Sequence, residues 1–132
     1  MKPLPPEDML AFTRQECQDL LAELVKHEHL SRLGIKLKVW NTKGSTADYN
    51  KREIHISMRG LDKNYYYGKA LVIHEIAHIV NAHKNGRHRV SSHGKEFKRT
   101  EDRLLKLFGL SIKRARAYAT VIYHEGKEVW HK

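Results

Sequence analysis

The 132-residue sequence predicts an α+β fold, in which an N-terminal helix packs on a small mixed sheet and two further helices follow. Apolar residues recur at helical spacing in 17–25, alternate with polar residues in 35–40 and 54–58, and regain helical spacing in 69–83. A chain of this length falls within the ~100–200 residues of one typical domain. Because no composition shift or repeat marks a boundary, we expect a single domain over 1–132.

The first half of the chain supplies the first helix and the strands. Prolines in 1–12 indicate an extended lead-in, and Thr13 followed by Glu16 forms a capping box, which is typical of a helix start. Gly34 is the residue at which we expect this helix to end. The alternating segments then predict strands, and 47–50 is a candidate for a second, short strand.

The second half is predicted to be mostly helical. A stretch rich in tyrosine and in turn-forming residues over 60–68 is typical of a loop, and the apolar helix follows it. Ser91 or Ser92 could cap the next helix, which Gly109 ends. The segment 118–132 is predicted to form a C-terminal hairpin.

Composition excludes several classes of protein. With 40% hydrophobic residues the chain has the balance of a globular protein, and no apolar run approaches the ~18–20 residues of a bilayer span. The N-terminus lacks the apolar stretch of a secretory signal. The lone Cys17 excludes an internal disulfide and a cysteine-based zinc ribbon. We therefore expect a cytoplasmic, intracellular protein with no membrane partner.

Histidines are the most informative residues of the sequence. Five of the ten lie in 74–93, and the pentad 74–78 has the pattern H-E-x-x-H. On a helix, residues four apart lie on one face, so His74 and His78 can bind the same metal ion. Glu75, next to the first ligand, could take a proton from metal-bound water without binding the metal itself. The pentad predicts a zinc site, and a helix that carries two histidines by chance is the alternative.

A catalytic zinc needs a third protein ligand and an open position. The candidates for that ligand are His83, His88, His93, Glu96 and Glu101. A metzincin would have histidine at the position of Lys84 and glycine at that of Asn81, so that subclass is disfavoured. His93 is preferred, because Gly94 beside it allows close backbone approach and Phe97 anchors the following helix to the core. A glutamate from that helix would serve instead in a gluzincin-type site.

The spacing of two motifs resembles a known family. The pentad 74–78, followed after a loop by His-Gly-Lys-Glu-Phe at 93–97, is similar to the H-E-x-x-H and H-G-x-x-F signature of the SprT-like metallopeptidases. The strand around 52–57 also resembles the sheet of that family. The resemblance extends over roughly 20–108, which is most of the chain.

This resemblance implies a fold and a chemistry. It implies a zincin-like domain, a Zn²⁺ ion held by His74, His78 and His93, and Glu75 as general base and acid in peptide hydrolysis. Members of the family include proteases that act on proteins attached to DNA. Many members continue into a cysteine-rich zinc ribbon that this sequence lacks, so DNA contacts made by such a ribbon do not carry over.

Charge points to DNA as a candidate partner. The formal net charge is +10, and the segment 84–116 holds eleven Lys and Arg against three Asp and Glu, a net of +8. A basic region beside the predicted site is typical of a nucleic-acid interface, although solvated helix faces would explain the same charges. Aromatic residues that could stack on unpaired bases, but that are more often core or rim residues, are Trp40, Tyr65, Tyr66, Tyr67 and Trp130.

The predicted function is that of a zinc-dependent metalloprotease, a hydrolase acting on a protein or peptide substrate through a metal-activated water. We expect the strand at 54–58 to be the sheet edge that binds the substrate backbone, and a tyrosine or the loop at His88 to stabilise the oxyanion. Two alternatives stay open: a basic nucleic-acid-binding module with a structural zinc, and a catalytically idle adaptor derived from a protease. The intact Glu75 argues against the idle adaptor.

Overall fold

The computed structural model of the protein describes residues 11–41, 44–61, 65–86, 94–113 and 115. It confirms an α+β fold with three long helices and a three-stranded mixed sheet. Most of the predicted lead-in and all of the predicted C-terminal hairpin lie outside the described residues. In chain order the elements are α1 (Arg14–His27), β1 (Lys36–Trp40), β2 (Thr46–Asp48), β3 (Glu53–Ser57), α2 (Met58–Leu61), α3 (Tyr65–Asn85) and α4 (Lys95–Leu107).

The predicted capping box begins α1. The hydroxyl of Thr13 accepts a hydrogen bond from the N–H of Glu16 at 3.1 Å, and the Glu16 carboxylate accepts one from the N–H of Thr13 at 2.9 Å. Two backbone donors at the helix start are thereby satisfied. α1 then packs through one apolar stripe on β1 and α3. The buried residues of this stripe are Cys17, Leu20, Leu21 and Leu24.

α1 ends at His27, well before the predicted Gly34. His29 adopts a left-handed φ of 59°, and the N–H of Leu30 donates to the carbonyl of Val25 at 2.8 Å. A histidine thus occupies the position at which a glycine is usual, so the sequence carries no glycine signal at the true end. Gly34, with φ of 62°, instead ends the short 3-10 turn that follows.

The sheet has β3 at its centre, in the order β1-β3-β2. β1 pairs with β3 in parallel, and β2 pairs with β3 antiparallel. The prediction that 54–58 forms an edge strand is therefore wrong, because β3 is hydrogen-bonded on both sides. Alternation of apolar residues identifies the buried face of a strand but carries no information on which strands are neighbours. Within the described ranges, the outer edges of the sheet belong to β1 and β2.

One face of the sheet is buried under the helices. Leu37, Ile54 and Ile56 lie on that face and are at most 5% exposed. Lys38 and His55 lie on the other face and remain accessible. The two edges have different neighbours, because β1 packs against α1 whereas β2 packs against α3.

The described part of 60–68 is helical, contrary to the predicted loop. α2 ends at Leu61 and α3 begins at Tyr65, ahead of its predicted start. Gly68 lies inside α3, where a Cβ would be 2.5 Å from the Cβ of Phe12 and would not fit. A glycine that permits close packing looks the same in sequence as a glycine that breaks a helix, and this explains the error.

α3 is the central helix of the core. It packs against α2, α4 and the sheet, and most of its residues are buried. Such burial on nearly all sides accounts for its apolar sequence. No helix in the described ranges has both the length and the apolar character that a membrane crossing requires.

α4 covers the part of α3 that carries the pentad. Its N-cap is Gly94, a residue without a side chain that could cap the helix. The predicted cap at Ser91 or Ser92 is therefore wrong, because the helix begins later; both serines lie outside the described residues. The C-terminal end agrees with the prediction, since α4 ends at Leu107 and Gly109 follows with a left-handed φ of 82°.

An ion cluster around the buried carboxylate of Glu28 joins the ends of three helices. Glu28, directly after α1, accepts two hydrogen bonds from Arg103 of α4 at 2.7 and 2.8 Å, and one from Lys84 of α3 at 3.0 Å. The ring of His27 lies 2.9 Å from the same carboxylate. The hydrogen bonds from Arg103, against the opposing effect of burial, lower the pKa of Glu28 to about 2. Glu28 is thus an ionised structural carboxylate.

Candidate metal centre

The two histidines of the pentad lie on one face of α3. His74 is 4% exposed and His78 is half-buried, and their ring centroids are 5.0 Å apart with the ring planes at 90°. This arrangement follows from their separation by four residues, about one helical turn. Two imidazoles this close have the chemistry and the spacing to bind one metal ion together.

A carboxylate from α4 holds the first of these histidines. Nδ1 of His74 lies 2.6 Å from Oε2 of Glu101, and both side chains are buried. Burial by itself would lower the pKa of His74, but the hydrogen bond with Glu101 and the charges of Glu75 and Glu101 raise it above its usual value. The pair therefore joins a buried imidazole to a buried carboxylate across the interface between α3 and α4.

Phe97 of α4 contacts both histidine rings. Its ring stacks on that of His78, with centroids 4.2 Å apart and planes at 23°, and meets that of His74 edge-on at 5.1 Å. The phenylalanine is 2% exposed. The predicted anchor of α4 in the core thus packs directly on the two imidazoles.

Glu75 is buried beside this pair. Glu75 is only 5% exposed, and its side chain makes no hydrogen bond with another described residue. Burial raises the pKa of Glu75 to about 7, with the positive charge of His74 opposing the shift and the charge of Glu101 adding to it. A carboxyl group with this pKa can both accept and return a proton near neutral pH.

The third ligand is not decided by the described residues. The preferred His93, like His88, lies outside them. Within the described ranges, no three His, Cys, Asp or Glu side chains form a group that could hold a metal. The other candidates are placed as follows: His83 is exposed with Nδ1 2.7 Å from the hydroxyl of Tyr49, Glu96 is exposed, and Glu101 contacts Nδ1 of His74. The choice of His93 stays a prediction.

The contact of Glu101 with His74 is the feature that sequence reasoning missed. The residue was a candidate third ligand, whereas the structure places its carboxylate on a ring nitrogen of the first histidine. One signal was present in the sequence, because Glu101 lies four residues after Phe97 and three before Leu104 on the apolar face of an amphipathic helix. A carboxylate on such a face needs a buried partner.

The outer face of α4 is strongly basic. Four exposed cations recur on it at helical spacing, and none of them forms an ion pair with another described residue. We call them the α4 basic stripe: Lys95, Lys98, Arg99 and Lys106. Asp102 lies among them, which leaves a net charge of +3 from four cations and one carboxylate.

The predicted base-stacking residues have different environments. Trp40 is 45% exposed, and its ring centroid lies 5.6 Å from that of His55 on the open face of the sheet. Tyr67 is buried in the core, and Tyr65 and Tyr66 are half-buried against it. Trp130 lies outside the described residues. Of this group, only Trp40 presents a large accessible ring among the described residues.

Comparisons with known proteins give one family and no individual relative. Neither the curated proteins nor the solved structures yielded a significant match. The profile of the SprT-like family matches residues 14–116, which include α1, the sheet, the pentad and α4. A match of this extent covers well over half of the sequence, and the chain therefore belongs to the SprT-like family.

Proposed function

We propose that this protein is a zinc-dependent metallopeptidase in which His74, His78 and His93 hold the metal and Glu75 transfers the proton. The observation that carries the proposal is the buried face of α3, where an imidazole pair adjoins the buried carboxyl group of Glu75. Membership of the SprT-like family supports a metallopeptidase-like domain.

The donor set fits zinc. Two imidazoles one helical turn apart are typical zinc ligands, and the hydrogen bond at Nδ1 of His74 leaves Nε2 as the nitrogen suited to a metal. When bound, zinc polarises the scissile carbonyl and lowers the pKa of water to about 7. Phe97 limits rotation of both rings by packing on them.

Glu75 supplies the proton transfer in this proposal. Its carboxylate accepts a proton from the attacking water, and the resulting carboxylic acid returns it to the leaving amine. Burial raises the pKa of Glu75 above its ordinary value in the metal-free protein, which makes its carboxylate a stronger proton acceptor than an exposed one. Burial keeps bulk water from competing for that proton.

We propose β2 as the strand that binds the substrate backbone, in place of the central β3. β2 is the sheet edge that packs against α3, the helix with the pentad. An extended peptide can add to such an edge through backbone hydrogen bonds. The substrate would then be an extended or unfolded stretch of protein.

Zinc content tests the metal site. We expect about one zinc per chain in wild-type protein purified without chelators, and a large loss of zinc in His93→Ala. His83→Ala is the matched control and should keep its zinc, because that side chain contacts Tyr49. Retention of zinc by His93→Ala would move the third ligand elsewhere.

Hydrolysis of an unfolded protein substrate tests the activity. Zinc-dependent cleavage by the wild type supports the peptidase. A wild type with bound zinc and no cleavage supports the alternatives, a structural zinc in a binding module or an idle adaptor. Absence of zinc from the wild type would refute the metal site altogether.

We further propose that the protein acts on DNA-associated proteins, through the α4 basic stripe. Lys95 and Lys98 lie in the first turn of α4, where the helix dipole disfavours cations, and Lys95, Lys98 and Arg99 are like-charged neighbours at helical spacing. Glu96 and Asp102 offset part of this charge, and phosphates would neutralise the remainder. The stripe lies opposite the buried face of α4, so DNA bound there would leave the candidate centre accessible.

Salt-dependent binding to a labelled DNA duplex tests this surface. Four phosphate contacts would contribute about 3.6 to the slope of log affinity against log salt, and Lys98→Gln with Arg99→Gln should reduce that slope by about 1.8. Lys36→Gln with Lys51→Gln removes the same charge near the sheet and should leave the slope unchanged. Equal slopes in the two double variants would exclude the stripe as the DNA surface.

A further inference from the structure

The strongest feature outside the proposed catalytic set is the buried contact between Glu101 and His74. The two residues lie on different helices, and their side chains are 9% and 5% exposed. The separation of 2.6 Å is at the short end for a hydrogen bond between an imidazole and a carboxylate. A contact so short and so buried restricts the orientation of the ring.

The direction of this hydrogen bond follows from the chemistry of its partners. An ionised carboxylate can only accept, so the proton between the two groups belongs to Nδ1 of His74. An imidazole binds a metal through a ring nitrogen without a proton. With Nδ1 protonated, Nε2 is the nitrogen of His74 that can bind a metal.

A purely structural explanation accounts less well for the pair. A buried ion pair contributes little net stability compared with apolar residues of similar size. The interface between α3 and α4 already has apolar contacts from Phe97, Leu104 and Leu105. The other buried carboxylate that joins these helices, Glu28, bonds to Arg103 and Lys84 rather than to a candidate ligand.

We propose that Glu101 is a positioning residue of the metal centre, which accepts a hydrogen bond from Nδ1 of His74 and thereby selects Nε2 as the zinc-binding nitrogen. Together with the ring of Phe97, it makes α4 the helix that orients the ligands carried by α3. The inference rests on the zinc site of the proposed function, and it does not depend on peptide hydrolysis.

Zinc affinity provides the first test. By competition with a chelator, Glu101→Ala should bind zinc ~10- to 100-fold more weakly than the wild type, because Nδ1 loses its acceptor. Glu101→Gln keeps the volume and a weaker acceptor oxygen, and it should show a smaller loss. Glu28→Gln is the matched control: it removes another buried, hydrogen-bonded carboxylate and should lower stability while keeping wild-type zinc affinity.

Nitrogen NMR of the wild type provides the second test and needs no variant that folds. In zinc-loaded wild-type protein with ¹⁵N-labelled histidine, the His74 signals, assigned by through-bond correlation to the backbone of the residue, should show a protonated Nδ1 and a metal-bound Nε2. Zinc bound through Nδ1, or wild-type affinity in both Glu101 variants, would overturn the positioning role.

The failures of the two proposals are distinguishable. A wild type that binds zinc as described but hydrolyses nothing overturns the peptidase and leaves the role of Glu101 intact. A wild type that hydrolyses peptides, while both Glu101 variants keep full zinc affinity, supports the peptidase and overturns the role of Glu101. A wild type that binds no zinc overturns both.

Discussion

Two buried glutamates of this small protein lie in opposite electrostatic environments. Glu28 is surrounded by donors, and the hydrogen bonds from Arg103 lower its pKa to about 2. Glu75 makes no hydrogen bond with another described residue, and burial raises its pKa to about 7. The two side chains are the same, so the whole difference comes from what the fold places beside them.

The comparison separates a structural carboxylate from a reactive one. Glu28 stays ionised throughout the neutral range and joins the ends of α1, α3 and α4. Glu75 changes its protonation state near neutral pH and lies beside the imidazole pair. A carboxyl group whose protonation changes near the working pH is the one suited to proton transfer.

The largest expected effect is on hydrolysis, which should depend on Glu75 and not on Glu28. Glu75→Gln removes the proton-transfer group while keeping its volume, and hydrolysis should fall by ~10²–10⁴-fold. Zinc content should stay close to that of the wild type. Glu28→Gln should keep hydrolysis per folded molecule. Undiminished proteolysis by Glu75→Gln would falsify the proposed mechanism.

The next largest effect is the loss of folding stability that we expect when Glu28 is replaced. Glu28→Gln should lower the free energy of unfolding at neutral pH by about 1–3 kcal/mol, because Arg103 and Lys84, which are themselves about half exposed, lose an ionised acceptor. Because the folded pKa is lowered, this stabilisation is present above the ordinary value of 4.5 and is lost as pH falls towards 2. Denaturant unfolding of both proteins across this range measures the difference. A difference that persists unchanged at pH 2 would contradict the assignment.

The pH dependence of Glu75 should have the opposite sign. Its folded pKa of about 7 exceeds the ordinary 4.5, so the unfolded chain ionises first and stability decreases as pH rises between these values. In zinc-free protein, Glu75→Gln should therefore gain stability relative to the wild type over this interval. A constant difference between the two proteins from pH 4.5 to 7 would show that Glu75 is not buried as a neutral acid.

The smallest expected effect resolves the Glu28 cluster itself. Arg103→Met removes two hydrogen bonds and should cost about 1–3 kcal/mol of stability, whereas Lys84→Met removes one and should cost less than about 1 kcal/mol. Thermal unfolding of both variants at equal salt provides the measurement. Equal effects would mean that the bidentate arginine has no special role.

Sequence patterns predicted many of the helices and strands, because these elements depend on interactions between residues that are close in sequence. The capping box at Thr13, the buried faces of the strands and the helical spacing of the pentad each depend on residues a few positions apart. Errors arose where one residue type serves two purposes. Gly68 allows close packing inside a helix, and His29 adopts a left-handed conformation that usually signals glycine.

The sequence by itself determined the α+β class, the SprT-like family and the candidate ligands His74 and His78, since one helical turn places two side chains on one face whatever surrounds them. Only the tertiary structure decided that β3 is central, that Glu101 reaches Nδ1 of His74, and that Glu28 and Glu75 differ in pKa. The physical reason is that strand order, a contact between two helices and the solvation of a carboxylate depend on residues distant in sequence.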